Sequence, residues 1–297
     1  MEGNTGKLLV IIVTYNAMQW AKRCFDSIVN SSVLSDVFVV DNGSTDGTQE
    51  FIQKEYPNVL FHQSENNLGF GKANNVGIRY AIQNGYSYVY LLNQDAWVDS
   101  DTFKTLIEFS GRYPDYGIIS PMQTTSDKSV LDKAFAYTRV SMDDFYHNRG
   151  ICECSFVMAA HWLLPVSVIK RVGLFSEAFI HYGEDVNLCD RMQYYGYKVG
   201  ICTTTFSVHD RGSRIPLNPD QGVIRYSVKY NTLANRPLHN SLLKSFANLI
   251  IYSFTILKDY RNASCKTKFR TIFKMIGYFN RSNKYRALYT IEGYGTK

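Results

Sequence analysis

The sequence predicts an α/β protein built on a mostly parallel sheet flanked by helices, with a helical extension after it. Three observations carry that expectation. Continuous apolar runs of strand length, KLLVIIVTYN (7–16), DVFVVD (36–41) and YVYLLN (88–93), read as strands buried on both faces, as the strands of a parallel sheet are. Segments of helical spacing alternate with them, the pattern of successive strand–helix units. The composition, 45% hydrophobic and 20% charged over 297 residues, is that of a globular chain able to bury a sizeable core.

Taken in order, the strand at 7–16 passes into AMQWAKRCFDSIV (17–29), where Trp20, Cys24, Phe25 and Ile28 recur at helical spacing. DVFVVD is the second strand, TDGTQEFIQKEY (45–56) the second helix and NVLFHQ (58–63) the third strand. GKANNVGIRYAIQNG (71–85) is a helix closed by Gly85, and YVYLLN the fourth strand. Three such units in succession imply a parallel sheet with right-handed crossovers, so Asp41 and the stretch from Asn93 to Asp95 fall at the same edge of the sheet. A helix at 101–113 and a short strand, YGIIS (116–120), follow, and regularity is lost from Met122 to Gly150. Order returns with CSFVMAAHWLLPV (154–166). GEDVNLCDRMQYYGYKVG (183–200) reads as a helix opening on two acids, turning Val186, Leu188, Cys189 and Met192 to the core and stopped by Gly196. VGICTTTFSVHD (199–210) reads as a strand ending in His209, and helices with Asn- and Ser-rich breaks run from there to Lys297.

The net charge of +6 conceals an asymmetry: from Ser213 onward there are 15 Lys and Arg against 3 acids, so the tail carries +12 and the preceding residues −6. The opening residues lack the pattern of a signal peptide. Six cysteines without a ladder of spacings are expected to be reduced thiols in a cytoplasmic protein, the close pair Cys152 and Cys154 being weak evidence for a metal.

Four places carry candidate chemistry. In VFVVDNGSTDGT (37–48) a buried strand ends in Asp41 and a polar turn. The carboxyl ends of parallel strands border the ligand crevice of an open α/β sheet, so Asp41 is a candidate ligand contact; the alternative is a plain turn in which Ser44 or Thr45 caps the next helix. Asp95, in LLNQDAWV, stands just beyond the fourth strand, where one carboxylate suffices for a hard cation already held by a diphosphate. Glu184 and Asp185 either serve ordinary helix-start electrostatics or supply a general base. His209 is a structural histidine or a metal ligand. The turn ENNLGFGKANNVG (65–77) fails as a dinucleotide fingerprint, because the third glycine falls on Asn74 and the turn follows the third strand.

Together VIIVTYN, VFVVDNGSTDGT, ENNLGFGKANNVGI, LLNQDAWV, HYGEDVNLCDRMQYYGYKV and VHDRGS, in this order over residues 7 to 213, resemble the bacterial family-2 glycosyltransferases, rhamnosyltransferase-like and galactosyltransferase-like members especially. The resemblance implies a GT-A fold over residues 1–212, with a nucleotide-binding half (1–121) and an acceptor half (122–212), and leaves 213–297 as a basic, aromatic-rich extension. It implies an inverting transfer from a UDP- or dTDP-sugar, with a divalent cation, Mn²⁺ or Mg²⁺, to a saccharide acceptor in cell-surface polysaccharide synthesis; a lipid-linked acceptor is the expectation that goes with the basic tail. It assigns Thr14, Tyr15, Asp41 and Asn42 to the nucleoside pocket, with Asp41 accepting from the imide of the base. Gly69, Lys72 and Asn74 fall near the nucleotide, as do Asn93, which stands where many members have a first Asp, and Gln94. Asp95 and His209 are the implied metal ligands and Asp185 the implied base. Trp97, His181, Tyr182 and Glu184 are candidates for contact with sugar or acceptor, the alternative for the three rings being ordinary rim aromatics.

Two other classes compete. A sugar-phosphate nucleotidyltransferase shares such a sheet, but TYNAMQW contains no glycine for a phosphate loop after the first strand. A non-catalytic nucleotide-sugar-binding or nucleic-acid-binding module would use the basic tail, whose aromatics form no RNA-binding motif; nucleic acid is not expected as a partner. Within Ser241–Arg286 the longest apolar run, Leu249–Leu257, is far short of the roughly 20 residues a spanning helix needs. Apolar-aromatic stretches alternating with Lys and Arg suit a membrane interface at the cytoplasmic face; the alternative is that these helices pack on the catalytic domain.

Overall fold

The computed structural model describes residues 6–126, 130–138, 140–147, 150–179, 182–210, 219–235 and 241–296. Its first half follows the sequence pattern. Strands β1 (Leu8–Thr14), β2 (Asp36–Asp41), β3 (Leu60–Gln63) and β4 (Tyr88–Asn93) are linked in turn by helices α1 (Met18–Val29), α2 (Thr48–Glu55) and α3 (Phe70–Gln83). They lie parallel in the order β3-β2-β1-β4. Successive side chains of a strand face opposite sides, so Leu9 and Ile11 of β1 join one core cluster and Leu8, Val10 and Ile12 the other. Burial on both faces is the physical reason these strands read as unbroken apolar runs. The register sets Thr14 opposite Asp41 and Val13 opposite Asn93, so the three strand ends share one edge, as expected.

Beyond β4 the sheet becomes mixed. Strand β8 (His161–Pro165) is antiparallel to both β4 and β6 (Tyr116–Thr124), and β6 is parallel to β9 (Lys198–His209). Two short strands flank β9: β7 (Ile151–Cys154) on its first half and β5 (Ala96–Val98) on its end. Helices α4 (Thr102–Arg112), α5 (Met142–Tyr146), α6 (Val166–Val172) and α7 (Glu184–Tyr194) complete this half. Pairing in β9 jumps from Cys202 opposite Pro121 to Phe206 opposite Met122. Residues 203–205 therefore bulge, bending the strand's far end towards β5.

Several expectations need correction. The stretch from Met122 to Gly150 is not devoid of structure: β6 continues to Thr124, a 3₁₀ turn spans Lys133–Thr138, and α5 follows. The sequence does not display β5 and α6, three and seven residues being too short to show a period. In α7, Leu188, Cys189 and Met192 are buried, but Val186 is only partly so. Neither Ser44 nor Thr45 caps α2. Its N-cap is Gly47, Ser44 donates to Asp41, and the Thr45 N–H donates to Asn16 Oδ1.

The extension is helical, with α8 (Pro219–Ala234), α9 (Leu242–Asp259) and α10 (Cys265–Tyr289) packed around Val223, Tyr230, Leu249, Ile256 and Met275. It is also locked to the α/β unit. Arg191 of α7 is fully buried, donating from Nη1 to Val172 O (2.9 Å), from Nη2 to Leu174 O and from Nε to Asn187 Oδ1 (3.1 Å). Its guanidinium lies 5.5 Å and 5.7 Å from the ring centres of Tyr289 and Tyr294. The Leu174 N–H donates to Tyr294 O, and the Gly293 N–H to Arg171 O.

Helix α3 approaches β1 at Gly77, where a Cβ would stand 2.8 Å from the buried Ile11 side chain. Gly77→Ala should therefore destabilise the protein by about 1–2 kcal/mol, overpacking at that contact outweighing the roughly 1 kcal/mol of helix propensity gained. Denaturant unfolding of the two proteins measures it, and a more stable Ala variant would show that α3 can move away.

Candidate active site

At the edge shared by β1, β2 and β4, Asp41 is fully buried and engaged by six donors. They are Thr14 Oγ1 (2.7 Å), Ser44 Oγ, the backbone N–H groups of Gly43 (3.0 Å) and Ser44 (2.9 Å), and the side-chain amides of Gln49 (3.0 Å) and Gln63 (3.2 Å). Burial alone raises its pKa. The hydrogen bonds from Ser44, Thr14 and Gln63 outweigh that and hold it below the ordinary carboxylate value. A nucleobase imide could donate to Asp41 only if one of the two glutamine amides gave way; Gln63 is exposed and Gln49 partly so.

Around this hub the neighbouring turns are tied together. Gln94 Oε1 accepts from the Tyr15 N–H (2.7 Å) and its Nε2 donates to Tyr15 O (3.2 Å), which fixes the peptide while the Tyr15 ring stays exposed. Asn42 Oδ1 accepts from the Leu68 N–H (3.2 Å), joining this edge to the loop that leads through Gly69 into α3. On α3, Lys72 is exposed. Asn74 is buried, donating to Phe70 O one turn back, a contact that serves the helix.

Asp95 and His209 come together because β5 pairs with the end of β9. Ala96 is opposite His209, and the Asp210 N–H donates to Asp95 O. His209 Nε2 lies 3.5 Å from Asp95 Oδ1, and its Nδ1 lies 3.4 Å from Oδ2 of the buried Asp132. A carboxylate and an imidazole are a suitable donor pair for Mn²⁺, and a carboxylate behind the imidazole is the usual means of orienting it. Among the described residues no group of three or more His, Cys, Asp or Glu has the arrangement to hold an ion alone; one or two protein ligands are enough for a hard cation that a diphosphate also holds. His161 steadies this corner. Fully buried, it contacts Tyr90 OH through Nδ1 and Val208 O through Nε2, both at 2.9 Å, and burial depresses its pKa to about 3, leaving it neutral.

Helix α7 opens at Gly183, whose φ of +97° suits glycine, and where a Cβ would meet Thr232 Oγ1 of α8 at 2.2 Å. Glu184 is buried against the first turn of α3, its Oε2 without a hydrogen-bond partner, and burial followed by the nearby Asp185 pushes its pKa up to about 7. Asp185 is more open, its Oδ1 accepting from the Val186 N–H at 2.8 Å. Tyr182 is exposed with a φ of +64°. The Arg23 guanidinium covers a face of the Trp97 ring at 4.8 Å, leaving less of it for a sugar. His181 lies outside the described residues.

Residues 9–170 match the family model described as glycosyl transferase family 2. The chain belongs to that family. It is 24% identical to the low-salt glycan biosynthesis hexosyltransferase Agl10 of Haloferax volcanii, over 83% of this chain and 80% of that protein. It is 26% identical to an N-acetylglucosaminyl-diphospho-decaprenol L-rhamnosyltransferase of Mycobacterium tuberculosis, over 65% and 72%. Among solved structures it resembles S. aureus TarS 1–349 in complex with UDP-GlcNAc, with a TM-score of 0.54, 16% identity and coverage of 95% and 92%. It also resembles the mannosyltransferase PcManGT of Pyrobaculum calidifontis in complex with GDP-Man and Mn²⁺, with a TM-score of 0.57, 16% identity and coverage of 94% and 87%. The fold of this glycosyltransferase is thus the GT-A arrangement, a mixed α/β sheet with flanking helices and further helices at its C-terminal end.

Nothing local in the sequence marks Asp132, His161, Gln49 or Gln63 as site residues. Asp132 lies in a stretch without periodicity, and only the fold brings it to His209. The glycosyltransferase should depend on Asp41 for stability. Asp41→Asn, which sets an amide against buried donors, should cost about 2–4 kcal/mol at neutral pH. The sign follows from the depressed pKa: the stabilisation is complete above about 4, the unfolded value, and is lost as the pH falls through the lower folded value. Melting curves of both proteins from pH 7 to acid should converge; a constant gap would mean that the charge is not what matters.

Proposed function

We propose that this glycosyltransferase moves a sugar, with inversion, from a UDP- or dTDP-sugar to the hydroxyl of a lipid-linked saccharide acceptor. The observation that carries the proposal is the approach of Asp95 and His209 to 3.5 Å at the strand edge where Thr14, Asp41 and Gln94 are gathered. A carboxylate–imidazole pair beside the nucleoside end is suited to a donor whose leaving group is a diphosphate. The relatives support the direction. TarS has been crystallised with UDP-GlcNAc, PcManGT with GDP-Man and Mn²⁺, and the mycobacterial relative is named for a diphospho-decaprenol substrate.

Asp95 and His209 would hold the divalent cation, which when bound offsets the charge developing on the departing diphosphate. The exposed Tyr15 ring and the Asp41 turn would receive the nucleoside, the base displacing the Gln49 or Gln63 amide. Asp185 would take the proton of the acceptor hydroxyl as its oxygen bonds to the anomeric carbon. The anomeric carbon–oxygen bond to the diphosphate breaks on the opposite face, and its electron pair leaves with the nucleoside diphosphate. Asp185 suits this better than Glu184, because it is the more accessible of the two, whereas Glu184 is packed against α3.

Asp185→Asn should lower transfer by about two to four orders of magnitude, the usual contribution of a general base, while the melting shift on adding donor is retained. Transfer near the wild-type rate, together with its loss in Glu184→Gln, would move the role to Glu184. Asp95→Ala should abolish the extra thermal stabilisation that Mn²⁺ adds to UDP, and His209→Ala should reduce it less. Full activity in excess EDTA would overturn the cation's role.

A further inference from the structure

Helix α9 is apolar on two opposite sides. Its inner side sets Leu249 and Ile256 in the extension's core, with Ser245 buried in line with them. Its outer stripe, Leu243, Phe246, Ile250, Phe254 and Leu257, recurs at spacings of three and four residues, so all five lie on one face. Each is between 42% and 78% exposed. On α10 a second stripe, Phe269, Phe273 and Ile276, is 37–70% exposed. The two helices form a hairpin through residues 260–264, and the rings of Phe246 and Phe279 lie 5.9 Å apart, which joins the two stripes across the seam. Soluble monomers rarely leave contiguous apolar surface of this extent open to water unless something docks there.

The charge around the patch indicates what docks. From Leu242 to Tyr289 there are ten Lys or Arg and a single acid, Asp259. Lys266, Arg270, Lys274, Arg281 and Lys284 of α10 are exposed beside its apolar stripe. A second copy of this chain is a poor occupant, since a twofold interface would set this basic surface against itself. Among the described residues no helix is long and apolar enough to cross a membrane. An apolar stripe flanked by cations is the pattern of a helix that lies in the headgroup region of an anionic bilayer.

We propose that the α9–α10 hairpin is a membrane-docking surface that sinks Phe254, Phe273 and their neighbours into an anionic phospholipid leaflet, with the α10 cations on the headgroups. This goes beyond the glycosyl-transfer reading and does not rest on the donor, the cation or the base. Docking depends on residues of α9 and α10, none of which the transfer reading uses, so it can succeed or fail separately from catalysis. The surface is coupled to the site all the same: α8, on which the hairpin packs, abuts Gly183 at the start of α7.

The test is sedimentation of the full-length protein with phosphatidylcholine vesicles, with and without phosphatidylglycerol, at low and high salt. Removing the extension is unsuitable because Tyr289 and Tyr294 cover the buried Arg191. Wild type should pellet with the anionic vesicles at low salt, with at least tenfold weaker binding to neutral vesicles. The surface variant Phe254→Ser/Phe273→Ser should lose at least tenfold in binding while keeping its melting temperature. Phe273→Trp should be quenched by lipids brominated on the acyl chains, which separates insertion from charge attraction. Three outcomes would overturn the proposal: wild type remaining in the supernatant with anionic vesicles at low salt, an unquenched Phe273→Trp, or a lipid-free dimer that Phe254→Ser/Phe273→Ser dissociates.

Discussion

The pairing of three residues, Ala96–Val98, with the end of β9 is the contact on which the candidate site depends. Without it, Asp95 would be a turn residue beyond β4 and His209 the last residue of a distant strand. The bulge at residues 203–205 precedes the paired segment, and neutral His161 anchors it by tying Val208 O to Tyr90. Burial of His161 helps here: an imidazole driven to remain neutral can bridge a hydroxyl and a carbonyl without importing a charge next to Asp95.

Helix α7 connects the two regions that the chain otherwise keeps apart. Its first turn carries Glu184 and Asp185, and its last turn carries Arg191 under the rings of Tyr289 and Tyr294. Burial lowers the Arg191 pKa to about 10, but three carbonyl acceptors and two aromatic faces leave the cation satisfied. The helix that presents the candidate base is therefore held at its far end by the extension. The boundary near residue 212 that the family resemblance implies coincides with the change in charge, and the contacts of Arg191 with Tyr289 and Tyr294 cross it.

The sequence displays the first half of the fold because β1, β2 and β4 are buried on both faces, a requirement that writes itself into the chain as unbroken apolar runs. The shared edge of Thr14, Asp41 and Asn93 then follows from the parallel direction of the strands. Other parts leave no local trace. β5 is too short for a period, and Asp132 acquires meaning only beside His209. The saturation of Asp41 by Gln49 and Gln63 depends on amides from α2 and β3 that look like surface residues in the sequence. The fate of the tail was open for a related reason: the outer and inner stripes of α9 are both apolar, and composition cannot tell which one the protein itself covers.

The Arg191 lock also bears on the order in which the molecule matures during synthesis. Val172 and Leu174, whose carbonyls receive the guanidinium, emerge from the ribosome shortly before Arg191, but Tyr289 and Tyr294 follow only after roughly a hundred further residues. At the usual rate of chain growth that is an interval of about 5–20 seconds. For that time the sheet can assemble while the far end of α7 still holds a cation open to water, so α7 gains its final support only when the last helix closes over it. The aromatic residues near position 290 are therefore the last part of the Arg191 environment to be made.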